Sequence, residues 1–202
     1  MSPGFTPGRT VTVFGSGTVE PGSPDYELAR RLGAGLARAG FRLCNGGYGG
    51  TMAAGAQGAR EAGGATVGVT LKGQRWQGPN PWLDEVVQKD HLLARLACLL
   101  DYGDGYVILA GGTGTLAEIG VLLEMMNKQV MSGKPAVFLG EFWSPLLTLL
   151  AWERILCEVG PFRCVRGVRM MGMVACTDST EAAVRYLAAN LPGKTNIDTD
   201  SR

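Results

Sequence analysis

Three observations on the 202-residue chain predict an α/β fold, Rossmann-like and doubly wound, with a mainly parallel sheet and helices on both faces. Short apolar runs alternate with amphipathic stretches from one end to the other, the pattern of a parallel sheet whose crossovers are helices. Three of those runs end in glycine clusters where a strand hands over to a helix: Gly15–Ser16–Gly17, Gly46–Gly47–Tyr48–Gly49–Gly50 and Gly111–Gly112–Thr113–Gly114. The 31 glycines gather at such turns among 46% hydrophobic residues, a composition that fills one well-packed domain.

The elements follow in order. Residues 1–9 read as a mobile tail, and Thr10 to Phe14 as the first strand. Asp25 to Ala39 predicts a helix, with Leu28, Leu32 and Leu36 on one face and Gly40 closing it. Phe41 to Cys44 is a short strand, followed by an alanine-rich helix to about Ala62 and a strand from Thr66 to Thr70. From Leu71 to Pro81 the chain is a polar surface loop able to cover a pocket. Trp76 and Trp82 flank a ligand's flat face there or serve as packing anchors. Glu85 to Lys89 predicts a strand, and from Asp90 a helix shows its apolar face as Leu92, Leu93, Leu96, Leu99 and Leu100.

The run beginning at Tyr106 enters the central glycine turn, and a helix is expected from Thr115 to about Met131. Ala136 to Leu139 is a strand. Phe142 to Val159 is an apolar helix holding Trp143 and Trp152, with an apolar excess suited to an oligomer face. Met170 to Cys176 is the last strand. Asp178 is expected to cap a helix through Leu191, with Glu181 at capping-box spacing. Residues 10–191 form a single domain in this reading, and residues 192–202 a polar tail.

Composition excludes several functions. A formal net charge of +1 offers polyanions nothing, so neither nucleic acid nor a membrane surface is an expected partner. No apolar run is long enough to span a bilayer and no secretory signal pattern opens the chain, so a cytoplasmic location is expected. The cysteines, Cys44, Cys98, Cys157, Cys164 and Cys176, are odd in number and lack a C-x-x-C pair, as expected of buried, reduced thiols. The single histidine, His91, precedes a helix and suits a capping role. No metal site and no cofactor is indicated.

The central turn carries the chemistry. Its glycines let a backbone approach a ligand, and the following helix opens with unpaired N–H groups and a partial positive charge, together an anion cradle suited to phosphate. Thr113 and Thr115 can add hydroxyl donors, and Glu118 lies about one turn into the helix, where it would face the ligand. A phosphate cradle needs no carboxylate, so Glu118 implies chemistry. Two other readings stand beside this one. The turn can be an ordinary packing turn with Glu118 as an early helical acid. Gly112 to Ala117 also matches the G-x-G-x-x-A dinucleotide fingerprint, with Glu141 as the ribose acid. Arg95, set among apolar helix positions, asks for a carboxylate or phosphate partner or snorkels to the surface.

Val13–Phe14–Gly15–Ser16–Gly17, Gly46–Gly47–Tyr48–Gly49–Gly50–Thr51–Met52, Arg95 and Gly111–Gly112–Thr113–Gly114–Thr115–Leu116–Ala117–Glu118 together resemble the LOG family, once labelled lysine decarboxylase-like. The resemblance covers residues 10 to 190. It implies a Rossmann-like homodimer that cleaves the N-glycosidic bond of a nucleoside 5′-monophosphate, a cytokinin ribotide or AMP, to free base and ribose 5-phosphate. It implies catalytic roles for Glu118 and Arg95, with Gly15, Ser16, Gly46, Gly47, Gly111, Gly112, Thr113, Gly114 and Thr115 around the nucleotide. Arg95 is expected to hold phosphate or ribose oxygens and to keep Glu118 ionised. Ala110 stands where the family motif has Pro, Ala117 where an acid is frequent, and Leu96 where a Lys is usual. A sister group similar to the molybdenum-cofactor carrier proteins has a related turn and binds without hydrolysing, so a carrier or nucleotide sensor is the alternative.

Overall fold

The computed structural model describes residues 9–73, 78–128, 130–131, 134–152 and 174–191. Trp76, Cys157, Cys164, the expected helix beyond Trp152, the expected strand before Val174 and both terminal tails up to Gly8 and from Pro192 lie outside them.

Strands β1 (Thr10–Phe14), β2 (Arg42–Asn45), β3 (Thr66–Leu71), β4 (Glu85–Lys89), β5 (Gly105–Ile108), β6 (Ala136–Leu139) and β7 (Val174–Thr177) form one sheet. Its order is β4-β3-β2-β1-β5-β6-β7 and every pairing is parallel. The helices are α1 (Pro24–Arg38), α2 (Thr51–Glu61), α3 (Leu92–Tyr102), α4 (Thr113–Asn127), α5 (Ser144–Trp152) and α6 (Thr180–Asn190). Alternate strand residues face opposite sides, so two cores result. Val11, Val13, Leu43, Val107 and Leu109 meet α1, α2 and α6, whereas Phe14, Val67, Tyr106, Ile108 and Phe138 meet α3, α4 and α5. The Rossmann-like expectation holds.

Local chemistry explains the helix boundaries. Helix α1 starts on Ser23, whose Oγ accepts from Tyr26 N, with Pro24 in the first turn and Asp25 and Glu27 at the positive end of the helix dipole. Leu32 and Leu36 on its apolar face are fully buried, each burial contributing about 1.5–3 kcal/mol. His91 caps α3, its Nδ1 accepting from Ala94 N at 3.2 Å, as the sequence suggests.

Several expectations are corrected. Helix α6 is capped by Ser179, not Asp178: the helix starts one residue later, so Ser179 Oγ is the group that reaches Ala182 N. Glu181 therefore receives the Ser179 hydroxyl at 2.8 Å instead of closing a capping box with Asp178. Helix α4 starts at Thr113 and ends at Asn127, two residues early and four short, which puts Glu118 in its second turn. The helix expected from Phe142 starts at Ser144, and Trp143 just before it is buried and donates from Nε1 to Leu109 O at 2.9 Å, whereas Phe142 is exposed. Arg9, assigned to the mobile tail, pairs with Asp104 at 3.4 Å and accepts at its carbonyl from Arg42 N.

Strand order reverses between β1 and β5, the position where open α/β sheets form a ligand crevice beyond the strand ends. The first and third glycine clusters meet there. No helix among the described residues is long and apolar enough to cross a membrane.

Candidate functional site

The crevice is stitched from backbone. Leu109 N donates to Phe14 O and Ser16 N to Ala110 O, so the β1 and β5 turns run side by side. Thr115 Oγ1 donates to Gly15 O at 3.1 Å, drawing the first turn of α4 onto the β1 loop. That side chain is buried, so Thr115 serves the cradle's shape and offers its proton inward. Gly111 must be glycine for this reason, since a Cβ there would meet Thr115 Oγ1 at 2.2 Å. Ser16 likewise turns its hydroxyl to Thr18, while its carbonyl accepts from Thr51 N and Thr51 Oγ1.

The start of α4 is open by contrast. Its cap, Gly112, supplies no side-chain hydrogen bond, and a Cβ on Gly112 or Gly114 would meet nothing within 4 Å. Thr113 and Gly114 are exposed. The first N–H groups of a helix have no intrahelical acceptor, so this is an accessible donor array at the positive helix end.

Glu118 rises behind that array. Burial pushes its carboxyl up to about 7, and the Arg95 guanidinium opposes the rise without cancelling it. The expectation that Arg95 keeps Glu118 ionised is corrected on this point: desolvation outweighs the neighbouring charge, since removing water penalises the carboxylate more than a non-contacting cation repays. Among the described residues Arg95 and Glu118 form no salt bridge. Arg95 is instead committed to backbone and ring, with Nε on Val69 O at 2.7 Å, Nη2 on Gly46 O at 3.1 Å and the guanidinium 5.5 Å from the Tyr48 ring centroid. The partner expected for Arg95 was an anion; the observed ones are two carbonyls and an aromatic face.

Gly46 and Gly47 are buried and make that arrangement possible. A Cβ on Gly46 would lie 2.1 Å from Arg95 Nη2, and one on Gly47, at φ +79°, 2.7 Å from Thr70 Cγ2. Asn45 folds the turn, accepting from Gly47 N and donating to Met52 O, both at 2.8 Å. The ends of the 71–82 loop are tied to the same turn: Leu71 N donates to Tyr48 Oη, Asn80 N to Gly47 O and Asn80 Nδ2 to Tyr48 O. Sequence reasoning missed Asn45, although an Asn at a strand end before glycines is a recognisable turn former. It missed Asn80 and the Trp143 contact to Leu109, for which no local signal exists. Leu96, at the position of the usual Lys, packs against the core on the α3 side. Glu141, the acid of the fingerprint reading, lines a cavity of about 340 Å³ with Thr51, Leu109 and Ala110.

No group of three or more potential metal ligands occurs among the described residues, and Cys44 and Cys98 are free thiols. Cys44 is fully buried, and burial pushes its thiol up to about 12, which makes it unreactive at neutral pH.

A Rossmann-like sheet with an open glycine turn at its switch point, one partly buried carboxylate on the helix that follows and one arginine on α3 places the protein in the α/β class. The chain belongs to the SLOG cluster4 family, whose model matches residues 8–142. It is 30% identical over 147 residues to a cytokinin riboside 5′-monophosphate phosphoribohydrolase of Rhodococcoides fascians, spanning 70% of this chain and 74% of that protein. It is 37% identical over 95 residues to the protein of the same name from Mycobacterium tuberculosis, spanning 46% of this chain and 51% of that one. The LOG resemblance of the motifs is thereby borne out. The molybdenum cofactor binding protein of Rippkaea orientalis superposes with a TM-score of 0.69 at 22% identity, covering 91% of this chain and 98% of that one, a likeness of fold.

Proposed function

We propose that the protein hydrolyses the N-glycosidic bond of a nucleoside 5′-monophosphate, a cytokinin ribotide or AMP, releasing the base and ribose 5-phosphate. The observation that carries this reading is the combination of an unblocked α4 N-terminus with a carboxyl in the second turn of the same helix, which burial pushes up to about 7. The 5′-phosphate sits on the Thr113 and Gly114 amides, which puts the sugar against Glu118. As the C1′–N bond lengthens, positive charge develops on the ribose and the Glu118 carboxylate stabilises it. Glu118 also takes a proton from the attacking water, whose oxygen bonds to C1′, while the departing base takes the bond's electron pair and a proton from solvent. A base poised near the working pH suits that transfer. Arg95 fixes the β2 and β3 turns around the sugar and lends Glu118 positive potential.

We extend the reading to a cytoplasmic homodimer or larger homo-oligomer, as the LOG resemblance implies. Leu92 and Leu93 on α3 and Leu116 and Val121 on α4 are exposed beside the site and supply an apolar contact for a second copy, to be checked by light scattering. The second reading is a carrier or sensor that binds a nucleotide or the molybdenum cofactor without hydrolysis. Leu96, Ala110 and Ala117, where LOG motifs have other residues, favour it.

The deciding experiment is chromatographic detection of free base from a panel of nucleoside 5′-monophosphates including AMP and an isopentenyl cytokinin ribotide. Release that falls by about 10²–10⁴-fold in Glu118→Gln, with binding retained, is the expected result. Undiminished release in that variant removes Glu118 from the mechanism, and thermal stabilisation without release selects the carrier reading.

A further inference from the structure

A second concavity lies on the helical surface away from the glycine turns. It is a groove of about 510 Å³ between α1 and α6, lined by Arg30, Arg31 and Arg38 of α1 and Arg185 of α6. Gly35 and Val184 form part of its floor, where the two helices come so close that a Cβ on Gly35 would lie 3.2 Å from Val184 Cγ2.

Its charge is not balanced from within. Two carboxylates border it, Glu61 and Glu181, against the four arginines. Glu61 holds Arg30 at 2.7 Å and accepts from Gln57 at 2.9 Å, while Glu181 accepts the Ser179 hydroxyl at 2.8 Å. Arg30 is further tied to Glu27 at 3.3 Å. Among the described residues Arg31, Arg38 and Arg185 form no salt bridge. Three guanidinium groups without a salt bridge thus line one groove, where the one further carboxylate is Glu181, whose charge interacts with that of Arg31, in a chain whose whole net charge is +1.

Arg31 and Arg38 are two helical turns apart, about 10 Å along α1, with Arg185 on the opposite wall. Guanidinium forks match phosphate oxygens in pairs, and arginines on two walls can hold more than one phosphate at once. The volume is that of a small-molecule pocket, in the range of about 300–1,000 Å³, rather than of a long peptide track. We propose that the α1–α6 groove binds a small ligand carrying two or more phosphate groups, independently of the glycine turn.

The test is calorimetric titration of the full chain with inorganic tripolyphosphate at low salt. The expected result is binding that weakens by about tenfold or more in the double variant Arg31→Gln, Arg185→Gln and persists in Gly114→Glu, which closes the glycine turn to phosphate. Both arginines are exposed, so an unchanged melting temperature is expected to accompany the loss. Binding abolished by Gly114→Glu and untouched by the arginine changes assigns the anion to the turn and overturns the proposal. So does the absence of binding to the wild-type chain, or binding of polyglutamate in its place, which marks a peptide-docking surface. Because base release is not the readout, failure here leaves the hydrolase reading standing, and the converse holds.

Discussion

The β2–α2 and β5–α4 connections are built from similar sequence and do opposite things. Each leaves a parallel strand, passes through a glycine-rich turn and starts a helix whose cap is a glycine without a side-chain hydrogen bond, Gly50 in one and Gly112 in the other. In the β2–α2 turn the space above the glycines is filled by protein. A Cβ on Gly46 would strike Arg95, on Gly47 Thr70, and on Gly50 the Ser16 carbonyl at 2.2 Å. The first helical N–H, from Thr51, is spent on Ser16 O. In the β5–α4 turn Gly112 and Gly114 face open space. A glycine cluster therefore has two uses, close approach of protein to protein or of ligand to protein, and the occupant of the missing Cβ's place distinguishes them.

The comparison can be broken most severely at the closed turn. Gly50→Ala places a Cβ against an immovable backbone carbonyl at φ +62° and is expected to destabilise the fold by about 2–4 kcal/mol in urea melts. Gly112→Ala, its counterpart at the open turn, is expected to stay within about 0.5 kcal/mol of wild type. Equal losses in the two variants would erase the distinction.

Next in size is the anion binding proposed for the open turn. Gly114→Glu sets a carboxylate among the α4 amides and is expected to weaken nucleoside monophosphate binding by about 100-fold in calorimetry while leaving the melting temperature near wild type.

The third prediction concerns pH. Burial pushes Glu118 up to about 7 in the folded chain from an ordinary value of 4.5, so the folded state holds its proton more tightly than the unfolded state does. The associated stability is complete below about 4.5 and is lost as pH rises through about 7. Melting temperatures across that window should fall more steeply for wild type than for Glu118→Gln, and the variant should gain stability at pH 8. For the proposed reaction, base release should rise with pH through about 7, because the ionised form is the active one. A decline through that value would make Glu118 a proton donor instead.

The smallest effect sharpens the comparison from below. Trp143→Phe removes the Nε1 hydrogen bond to Leu109 O at the mouth of the open turn, with an expected cost of about 1 kcal/mol in urea melts. A much larger loss would mean that the open turn depends on that prop as heavily as the closed turn depends on Arg95.

Local sequence physics carried the fold a long way. The spacing of Leu28, Leu32 and Leu36, the β-branched run from Thr10 to Val13 and the glycines at strand ends are short-range signals, and they marked the alternation of strand and helix and the parallel sheet that follows from it. The same logic located the α4 turn and singled out Glu118, since an anion cradle would need no carboxylate. It misjudged the α6 cap because Asp178 and Ser179 are both good caps, and which of them serves depends on where β7 delivers the chain.

The tertiary structure decided the rest, through contacts between residues remote in sequence. Arg95 finds its carbonyls 26 and 49 residues away, and Thr115 turns inward to a carbonyl 100 residues away. Which glycine turn is filled and which is open, and whether Glu118 is held ionised or pushed up to about 7, depend on what those long-range contacts leave beside them. Periodicity and capping are properties of a segment and can be read along the chain. Desolvation and the occupancy of a missing side chain's space are properties of a neighbourhood, which exists only once the chain has folded.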